Sequence, residues 1–463
     1  MVNISLSQAI ILKHINYIKN STIKKEINKL LVPQFCEIIR DKFDPIMEQD
    51  HIKFCKYLIK HIDKIEYDFE NSLFTAKPHV LHEISKSIQT DFPYIKNLIN
   101  GDHEIEYGKT QRYWQFIYDA FGYNKFVGQE LLLPIKSLLM ELDKFNINLI
   151  SNILKDKKGL ERIYSQSAYQ RTIYEICELL EKVFSKYRYS NLDIHRISLL
   201  NEINDIAKET YSNKTEFLSS VLEILNRCKN NLGVLSENEV YVLCNYDNAA
   251  SGIEWGAYAY VLSIGLKVCP YCNRNYITPL YSNKGKMRAD LDHFLSKELY
   301  PYFSMSIYNL IPSCKFCNSS LKGTKEFTYN KNFNPYNETS VEDLYRFTYS
   351  PLTIDCFNGE EDLDIRIEYN EYIDDWEKIK TNNDIFCIET QYQYHKDIIK
   401  NLIKKRFLYD EAYINYLAKT YSKLFLTKDD VVKLLLSSYD YQDVKNAPLG
   451  KLLKDIIDEL DFH

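Results

Sequence analysis

Two Cys-x-x-Cys pairs constrain the fold of this chain more than any other feature. The pairs are Cys269/Cys272 and Cys314/Cys317. Four thiolates at this spacing match the two knuckles of a tetrahedral zinc site, in which the ion is fully coordinated and contributes to folding rather than to chemistry. The loop between the pairs is too polar to fold on a core of its own. We therefore expect structural zinc to hold it, because four free thiols would leave the paired spacing unexplained.

The remaining cysteines are scattered singly, which is typical of buried free thiols. The chain does not start with a charged segment followed by an apolar core, as a signal sequence would. Its longest uncharged apolar run, from Trp255 to Leu266, is shorter than the roughly 20 residues that span a bilayer. These features predict a cytoplasmic protein without membrane contact, in which reduced thiols can bind metal.

Positive charge is concentrated around the cysteine pairs. Residues 266–333 contain ten Lys/Arg and four Asp/Glu, a local net charge of +6 in a chain whose formal net charge is −6. A basic segment in an acidic chain is a candidate site for a polyanion. An ordinary solvated surface would have the same composition, so charge alone leaves both interpretations open.

The chain of 463 residues is long enough for several domains. Apolar residues recur at helical spacing through 1–250, for example in Ile23–Ile39, and this predicts a helical N-terminal domain. Residues 251–340 contain the cysteine segment. Residues 341–463 start with a short strand pair around a turn at Asn358-Gly359 and then return to helical periodicity. We expect a mainly α protein with a small α+β domain in its middle.

An Asp-His dipeptide, Asp292-His293, follows a short alternating stretch that predicts a strand. Hydrolysis of a phosphodiester needs a base that deprotonates water and a cation that stabilises the phosphate oxygens. An imidazole can be the base, and a neighbouring carboxylate can bind Mg²⁺ or Mn²⁺, which prefer oxygen ligands. Alone, the dipeptide is a weak signal, because many helices and loops contain one.

The residues around the second cysteine pair strengthen this interpretation. Asn309 precedes the pair within Tyr-Asn-Leu, and Asn318 follows it directly within Cys-x-x-Cys-Asn-x-x-x-Lys-Gly. Together with Asp292-His293, this order resembles the signature of the HNH endonucleases in their four-cysteine variety, over about residues 266–336. The resemblance implies a ββα-metal core, which is a hairpin packed against a helix around one divalent cation.

The resemblance also implies a role for each residue. His293 would be the general base, Asp292 and Asn318 would bind a catalytic Mg²⁺ or Mn²⁺, and Asn309 would fix the loop and orient the histidine ring. Asn318 stands where a histidine is the alternative in the family, so the preferred metal is open, although an amide oxygen suits Mg²⁺. Candidate phosphate contacts, for which an ordinary solvated side chain is an equal expectation, are Arg274, Lys297 and Lys322.

The segment is similar to the HNH component of Septu-type anti-phage systems. This similarity implies an endonuclease that cuts DNA, duplex rather than single-stranded, in prokaryotic antiviral defence, with a partner ATPase or another defence subunit. Two alternatives stay open: a non-catalytic zinc-stabilised module that binds nucleic acid or protein, and a nuclease that acts on RNA. Residues 1–250 lie outside the resemblance, and we expect them to serve regulation or assembly.

Overall fold

The computed structural model describes all residues apart from 132, 156–165, 187–189, 207, 209–213, 235–253, 282–285, 351–362, 437–442 and 461–463. Helices dominate the described part, and its strands form two-stranded antiparallel sheets. The predicted mainly helical architecture with a little sheet is therefore confirmed. None of the described helices is both long enough and apolar enough to cross a membrane.

Contacts divide the chain into two compact units. The larger unit comprises Met1–Asn124, Ile264–Thr278 and Arg288–His463. The smaller unit comprises Lys125–Ser263 and Pro279–Met287. The limits of these units do not coincide with the predicted boundaries at residues 250 and 340. That residues 1–250, 251–340 and 341–463 form three separate domains stays a prediction.

The N-terminal part of the larger unit is built from helices, several of which begin at a proline or at a capping residue. These helices are α1 (Gln8–Lys19), α2 (Ile23–Lys29), α3 (Pro33–Lys42), α4 (Pro45–Lys64), α5 (Pro78–Asp91), α6 (Ile95–Asn100) and α7 (Tyr113–Phe121). Asp44 caps α4 by accepting a hydrogen bond from the N–H of Ile46 at 2.7 Å. The helical periodicity over Ile23–Ile39 is realised as two helices, because Pro33 cannot continue α2 and starts α3 instead.

One strand pair lies inside the segment that we predicted to be helical. Strands β1 (Glu104–Tyr107) and β2 (Lys109–Arg112) pair antiparallel. Gly108 between them has a φ of 68°, a left-handed conformation that glycine adopts without strain. The helical prediction was wrong here because a hairpin this short carries too little periodicity to be distinguished from a loop.

The smaller unit is helical and has an apolar core. Its elements are α8 (Tyr123–Gly128), which begins in the larger unit, α9 (Leu133–Leu142), α10 (Ile147–Lys155), α11 (Gln166–Phe184), α12 (Ser190–Ile206), α13 (Lys214–Val234), α14 (Ala257–Ile264), and the strand pair β3 (Leu280–Tyr281) and β4 (Lys286–Met287). Leu138, Ile176, Ile203 and Val221 come from four different helices and are fully buried in one cluster. Each helix thus turns an apolar stripe inward, as the spacing predicts.

The rest of the larger unit contains two further strand pairs and the C-terminal helices. Its elements are β5 (Asp290–His293), β6 (Leu310–Ser313), α15 (Val341–Leu344), β7 (Tyr345–Tyr349), β8 (Ile365–Tyr369), α16 (Trp376–Ile385), α17 (Ile388–Tyr392), α18 (Lys396–Leu408), α19 (Glu411–Thr420), α20 (Lys428–Leu436) and α21 (Gly450–Glu459). Strands β7 and β8 are the predicted pair, whereas the predicted turn at Asn358-Gly359 lies outside the described residues. Helix α21 packs on β7, and Asp455 accepts the N–H of Phe347 at 2.8 Å.

Two histidines are fully buried in the larger unit and are held neutral. The Nε2–H of His14 donates to the carbonyl of Met305 at 2.9 Å. The Nε2–H of His51 donates to the carbonyl of Leu30 at 2.8 Å, so its Nδ1 accepts from the hydroxyl of Tyr113, also at 2.8 Å. Burial lowers the pKa of each imidazole to about 4. Both are core residues whose rings are held by hydrogen bonds.

These histidines predict that stability falls with acid. Below about pH 6.5 each of these histidines is protonated in the unfolded chain, whereas in the folded chain it stays neutral until about pH 4. Protonation therefore favours unfolding between these two pH values. From pH 7 to pH 5, each should lower the free energy of unfolding by about 2 kcal/mol. Urea titrations of H14Q should show a smaller loss, because glutamine can donate to Met305 but does not titrate. H79Q, at an exposed position of α5, should lose as much free energy of unfolding between pH 7 and pH 5 as the wild type. An equal loss in H14Q would show that His14 does not contribute to the acid sensitivity.

Candidate functional site

The four cysteines of the two pairs converge on one buried point. The Sγ atoms of Cys269, Cys272, Cys314 and Cys317 all lie within 4.8 Å of one another. Tetrahedral zinc with Zn–S bonds of about 2.3 Å requires sulfur–sulfur separations of about 3.8 Å, so small side-chain adjustments would suffice. The donor set therefore fits the group that the sequence predicts, and the cysteines are placed to bind a metal ion such as zinc.

The first knuckle is a tight turn, and N–H groups from both knuckles face the sulfur atoms. Asn273 donates its N–H to the carbonyl of Cys269 at 2.8 Å and has a φ of 49°, a left-handed conformation that asparagine tolerates. The N–H of Arg274 points at Cys272 Sγ at 3.4 Å, and the N–H of Cys314 points at Cys269 Sγ at 3.3 Å. Donors around the sulfur atoms stabilise negative thiolate charge and orient the ligands.

A hairpin and a helical turn carry the remaining predicted residues. Strands β5 and β6 pair antiparallel, with His293 opposite Leu310. The second knuckle leads into a π-helical turn, Phe316–Lys322, which includes Cys317. The N–H of Asn318 donates to the carbonyl of Cys314 at 3.0 Å, which joins this turn directly to the knuckle. Because strand residues alternate, Asp290 and Asp292 share one face of β5, while His293 belongs to the other.

The ring of His293 is held in one tautomer. Its Nε2 lies 3.2 Å from the carbonyl of Ser304. A carbonyl only accepts, so Nε2 carries the proton and Nδ1 is the basic nitrogen. Tyr123 packs against the ring with centroids 4.5 Å apart. Burial lowers the pKa of His293 to about 4, although the negative charge of Asp292 opposes the shift. The imidazole is therefore neutral at neutral pH and can accept a proton from a reacting group.

Asn309 closes the loop between β5 and β6. Its side chain is fully buried, and its Oδ1 accepts the N–H of Leu295 at 2.7 Å. Its Nδ2 donates to the carbonyls of Leu295 at 3.2 Å and Phe303 at 3.1 Å. Phe303 precedes Ser304, the acceptor of the His293 ring. Asn309 thus fixes the loop segment that in turn holds the histidine.

Asp292 is engaged in a buried ion pair. The Nζ of Lys322 lies 2.8 Å from its Oδ1 and 2.7 Å from its Oδ2, and the hydroxyl of Tyr271 donates to Oδ2 at 2.6 Å. Asp292 and Lys322 are only 5% and 4% exposed. In this structure the Asp292 oxygens therefore face an ammonium group rather than an open metal position. Lys322, predicted as a phosphate contact, is buried and does not reach the protein surface.

Asn318 contacts Asp290, an acid outside the HNH-like motif. Its Nδ2 lies 3.2 Å from Oδ2 of Asp290, and both side chains are half-buried. Asp290 stands two residues before Asp292 in Asp-Leu-Asp-His, so strand alternation already places both acids on one face. That alternation is the signal that could have identified Asp290.

The two other predicted phosphate contacts differ in their surroundings. The Nε of Arg274 donates to Nε2 of His395 at 2.8 Å, and its Nη1 donates to the side chain of Gln391 at 3.2 Å. Arg274 thus links the first knuckle to α17 and to the turn that follows it. Lys297 is exposed, and its Nζ lies 5.3 Å from the ring centroid of Tyr118. Of the three predicted contacts, Lys297 is the one that is available at the surface.

Several contributors to the site carry no local sequence signal. Tyr123, Tyr271 and Ser304 contact His293 or Asp292, and they come from a helix, a knuckle and a loop that are far apart in the chain. Aromatic and hydroxyl residues are too common in this sequence to be selected by type. Only the folded structure identifies them.

The cysteine cluster predicts how the chain responds to the loss of one thiol. Purified protein should contain about one zinc per chain, and C317S should lose it, because three ligands hold structural zinc far more weakly than four. The same variant should unfold at a lower temperature. C387S, which changes a free and exposed cysteine, should keep both zinc and stability. Elemental analysis and thermal melting measure the two effects, and full zinc content in C317S would refute the assignment.

Comparisons with protein-family models, with curated proteins and with solved structures found no match for this chain. The likeness to HNH endonucleases thus rests on the motif residues of this sequence. A function for the chain has to be argued from the geometry of the site.

Proposed function

We propose that this chain is a metal-dependent endonuclease of the HNH type that hydrolyses phosphodiester bonds in DNA. The observation that carries the proposal is the state of His293. Its ring is neutral, its Nδ1 is free of the proton, and it lies at the end of a hairpin that is followed by the turn carrying Asn318. A neutral imidazole with an unprotonated ring nitrogen suits the activation of water against a phosphodiester, and carboxylate and carboxamide oxygens of the same segment suit a cation.

In the proposed reaction, Nδ1 of His293 takes a proton from a water molecule while the water oxygen attacks phosphorus. The bond between phosphorus and the leaving sugar oxygen breaks, and a second water molecule protonates that oxygen. A bound divalent cation would supply positive charge to the phosphate and to the leaving oxygen. The hydrogen bond from Nε2–H to Ser304 keeps the proton on the far side of the ring.

The surroundings support this role because they make the site rigid. Asn309 holds the loop with three hydrogen bonds, and the cysteine cluster ties the hairpin to the helical turn. A base fixed in position before the substrate binds loses little entropy in the reaction. Proton transfer to His293 needs this rigidity, since a misplaced base would lose most of its effect.

Nucleic acid is the substrate class that the charge distribution favours, and the choice of DNA follows from the sequence resemblance. The segment around the cysteines carries a local net charge of +6, and its Lys297, Lys315 and Lys325 are exposed. Such lysines bind phosphates without regard to sequence. The setting we propose is prokaryotic antiviral defence in the cytoplasm, with a partner ATPase or another defence subunit. This setting derives from the sequence resemblance alone.

Replacement of His293 tests the proposal directly. Wild-type protein with Mg²⁺ or Mn²⁺ should nick plasmid DNA, and H293A should be slower by about 10²–10⁴-fold, the usual contribution of a general base. The H293A variant should retain its zinc and the melting temperature of the wild type. H79A, which removes an exposed histidine of α5, should cleave like the wild type.

The same assay separates the alternatives. Cleavage of RNA in preference to DNA would change the substrate class. If H293A and wild type cut equally, the histidine is not the base. If neither cuts, alone or with a neighbouring ATPase, while DNA is still bound, the chain is a zinc-stabilised binding module instead.

Lys297 should contribute to binding rather than to chemistry. K297A should weaken the affinity for duplex DNA and reduce the slope of log affinity against log salt by about one, because one phosphate contact is lost. The loss should be similar for unrelated sequences. K60A, at an exposed position of α4, should leave both quantities unchanged. Filter binding at several salt concentrations measures the slopes, and an unaltered slope in K297A would exclude the contact.

A further inference from the structure

The buried ion pair decides which acid of β5 is open to a cation. The Nζ of Lys322 contacts both oxygens of Asp292 and also the carbonyls of His293 at 2.6 Å and Phe294 at 3.3 Å. Tyr271 occupies a further acceptor position on Asp292. A cation at Asp292 would have to displace this ammonium and leave it buried and unpaired beside another positive charge. Breaking a buried pair in this way is strongly unfavourable.

Asp290 and Asn318 offer the arrangement that Asp292 lacks. Asp290 Oδ2 and the terminal amide atom of Asn318 are 3.2 Å apart. Adjacent ligands of octahedral Mg²⁺, at 2.0–2.1 Å from the ion, lie about 3 Å apart. A half-turn of the Asn318 amide exchanges its nitrogen for its oxygen at nearly the same place. Only one hydrogen bond is then lost.

The exposure of the two side chains also differs from that of Asp292. Asp290 and Asn318 are half-buried, so water and a phosphate oxygen can complete the coordination of an ion held between them. Mg²⁺ keeps several waters when it binds to proteins and needs such open positions. Asp292, only 5% exposed, provides none.

We propose that Asp290 and Asn318 hold the divalent cation, and that the carboxylate of Asp292 is neutralised by Lys322 instead of by metal. This assignment rests on the proposed nuclease function and changes its ligand set. It makes Lys322 an internal counter-ion of the hairpin rather than a contact to DNA.

Mn²⁺ binding to the full chain, with its zinc retained, tests the assignment without reference to catalysis. Electron paramagnetic resonance of free Mn²⁺ gives the affinity. D290N and N318A should each bind Mn²⁺ at least about tenfold more weakly than the wild type. The double variant D292N/K322M removes the ion pair without leaving an unpaired charge, and it should bind Mn²⁺ as the wild type does. Zinc content and thermal melting verify that each variant is folded.

The outcomes distinguish this assignment from the nuclease proposal. Unchanged Mn²⁺ binding in D290N, or loss of binding in a folded D292N/K322M, overturns the ligand set even if plasmid DNA is cut. The expected Mn²⁺ pattern without any cleavage leaves the metal site standing and removes the nuclease function. Absence of Mn²⁺ binding in the wild type refutes the site itself.

Discussion

The convergence of the four cysteines is the constraint on which the site depends. It joins two segments that are otherwise separated by the whole hairpin and its loop. Asn273, in the first knuckle, donates to the carbonyl of Val444 at 2.7 Å and accepts the N–H of Lys451 at 2.9 Å. The cluster therefore connects the hairpin to the start of α21 as well as to the π-helical turn. Metal binding free energy at such a site is folding free energy for everything attached to it.

The hairpin, its loop and the following turn bury several polar side chains. Asp292, Asn309 and Lys322 are each almost fully buried. Burial of such groups is tolerated only when their hydrogen-bonding capacity is met, and here each group has two or more partners. Apolar side chains of the same segment, among them Phe294, Leu310 and Phe327, are fully buried, and the satisfied network specifies the loop conformation within this core.

The sequence could predict those parts of the site that depend on the spacing of residues close together in the chain. The cysteine pairs and the strand that ends at His293 follow from residue type and spacing within one segment, and the loop-closing role of Asn309 follows from the resemblance to the HNH signature. The partners of these residues could not be predicted, because they depend on contacts across the fold. The sequence predicts Lys322 and Arg274 as surface cations. Lys322 instead pairs with Asp292, and Arg274 donates to His395, and neither partner can be identified from the residues next to the cation in sequence. The same limit applies to β1 and β2, whose pairing depends on one glycine turn.

An internal ammonium changes what the divalent cation has to do. If Asp292 needed a metal ion to neutralise it, the hairpin would be strained whenever that ion was absent. Lys322 supplies the charge permanently and also binds the carbonyls of His293 and Phe294, so the end of β5 keeps its shape without a second metal. Under the proposed function, folding depends on the cysteine cluster and the ion pair, while a weakly held cation would be free to bind the phosphate. A carboxylate that stabilises the fold and a carboxylate that binds metal are, on this argument, two different residues of one strand.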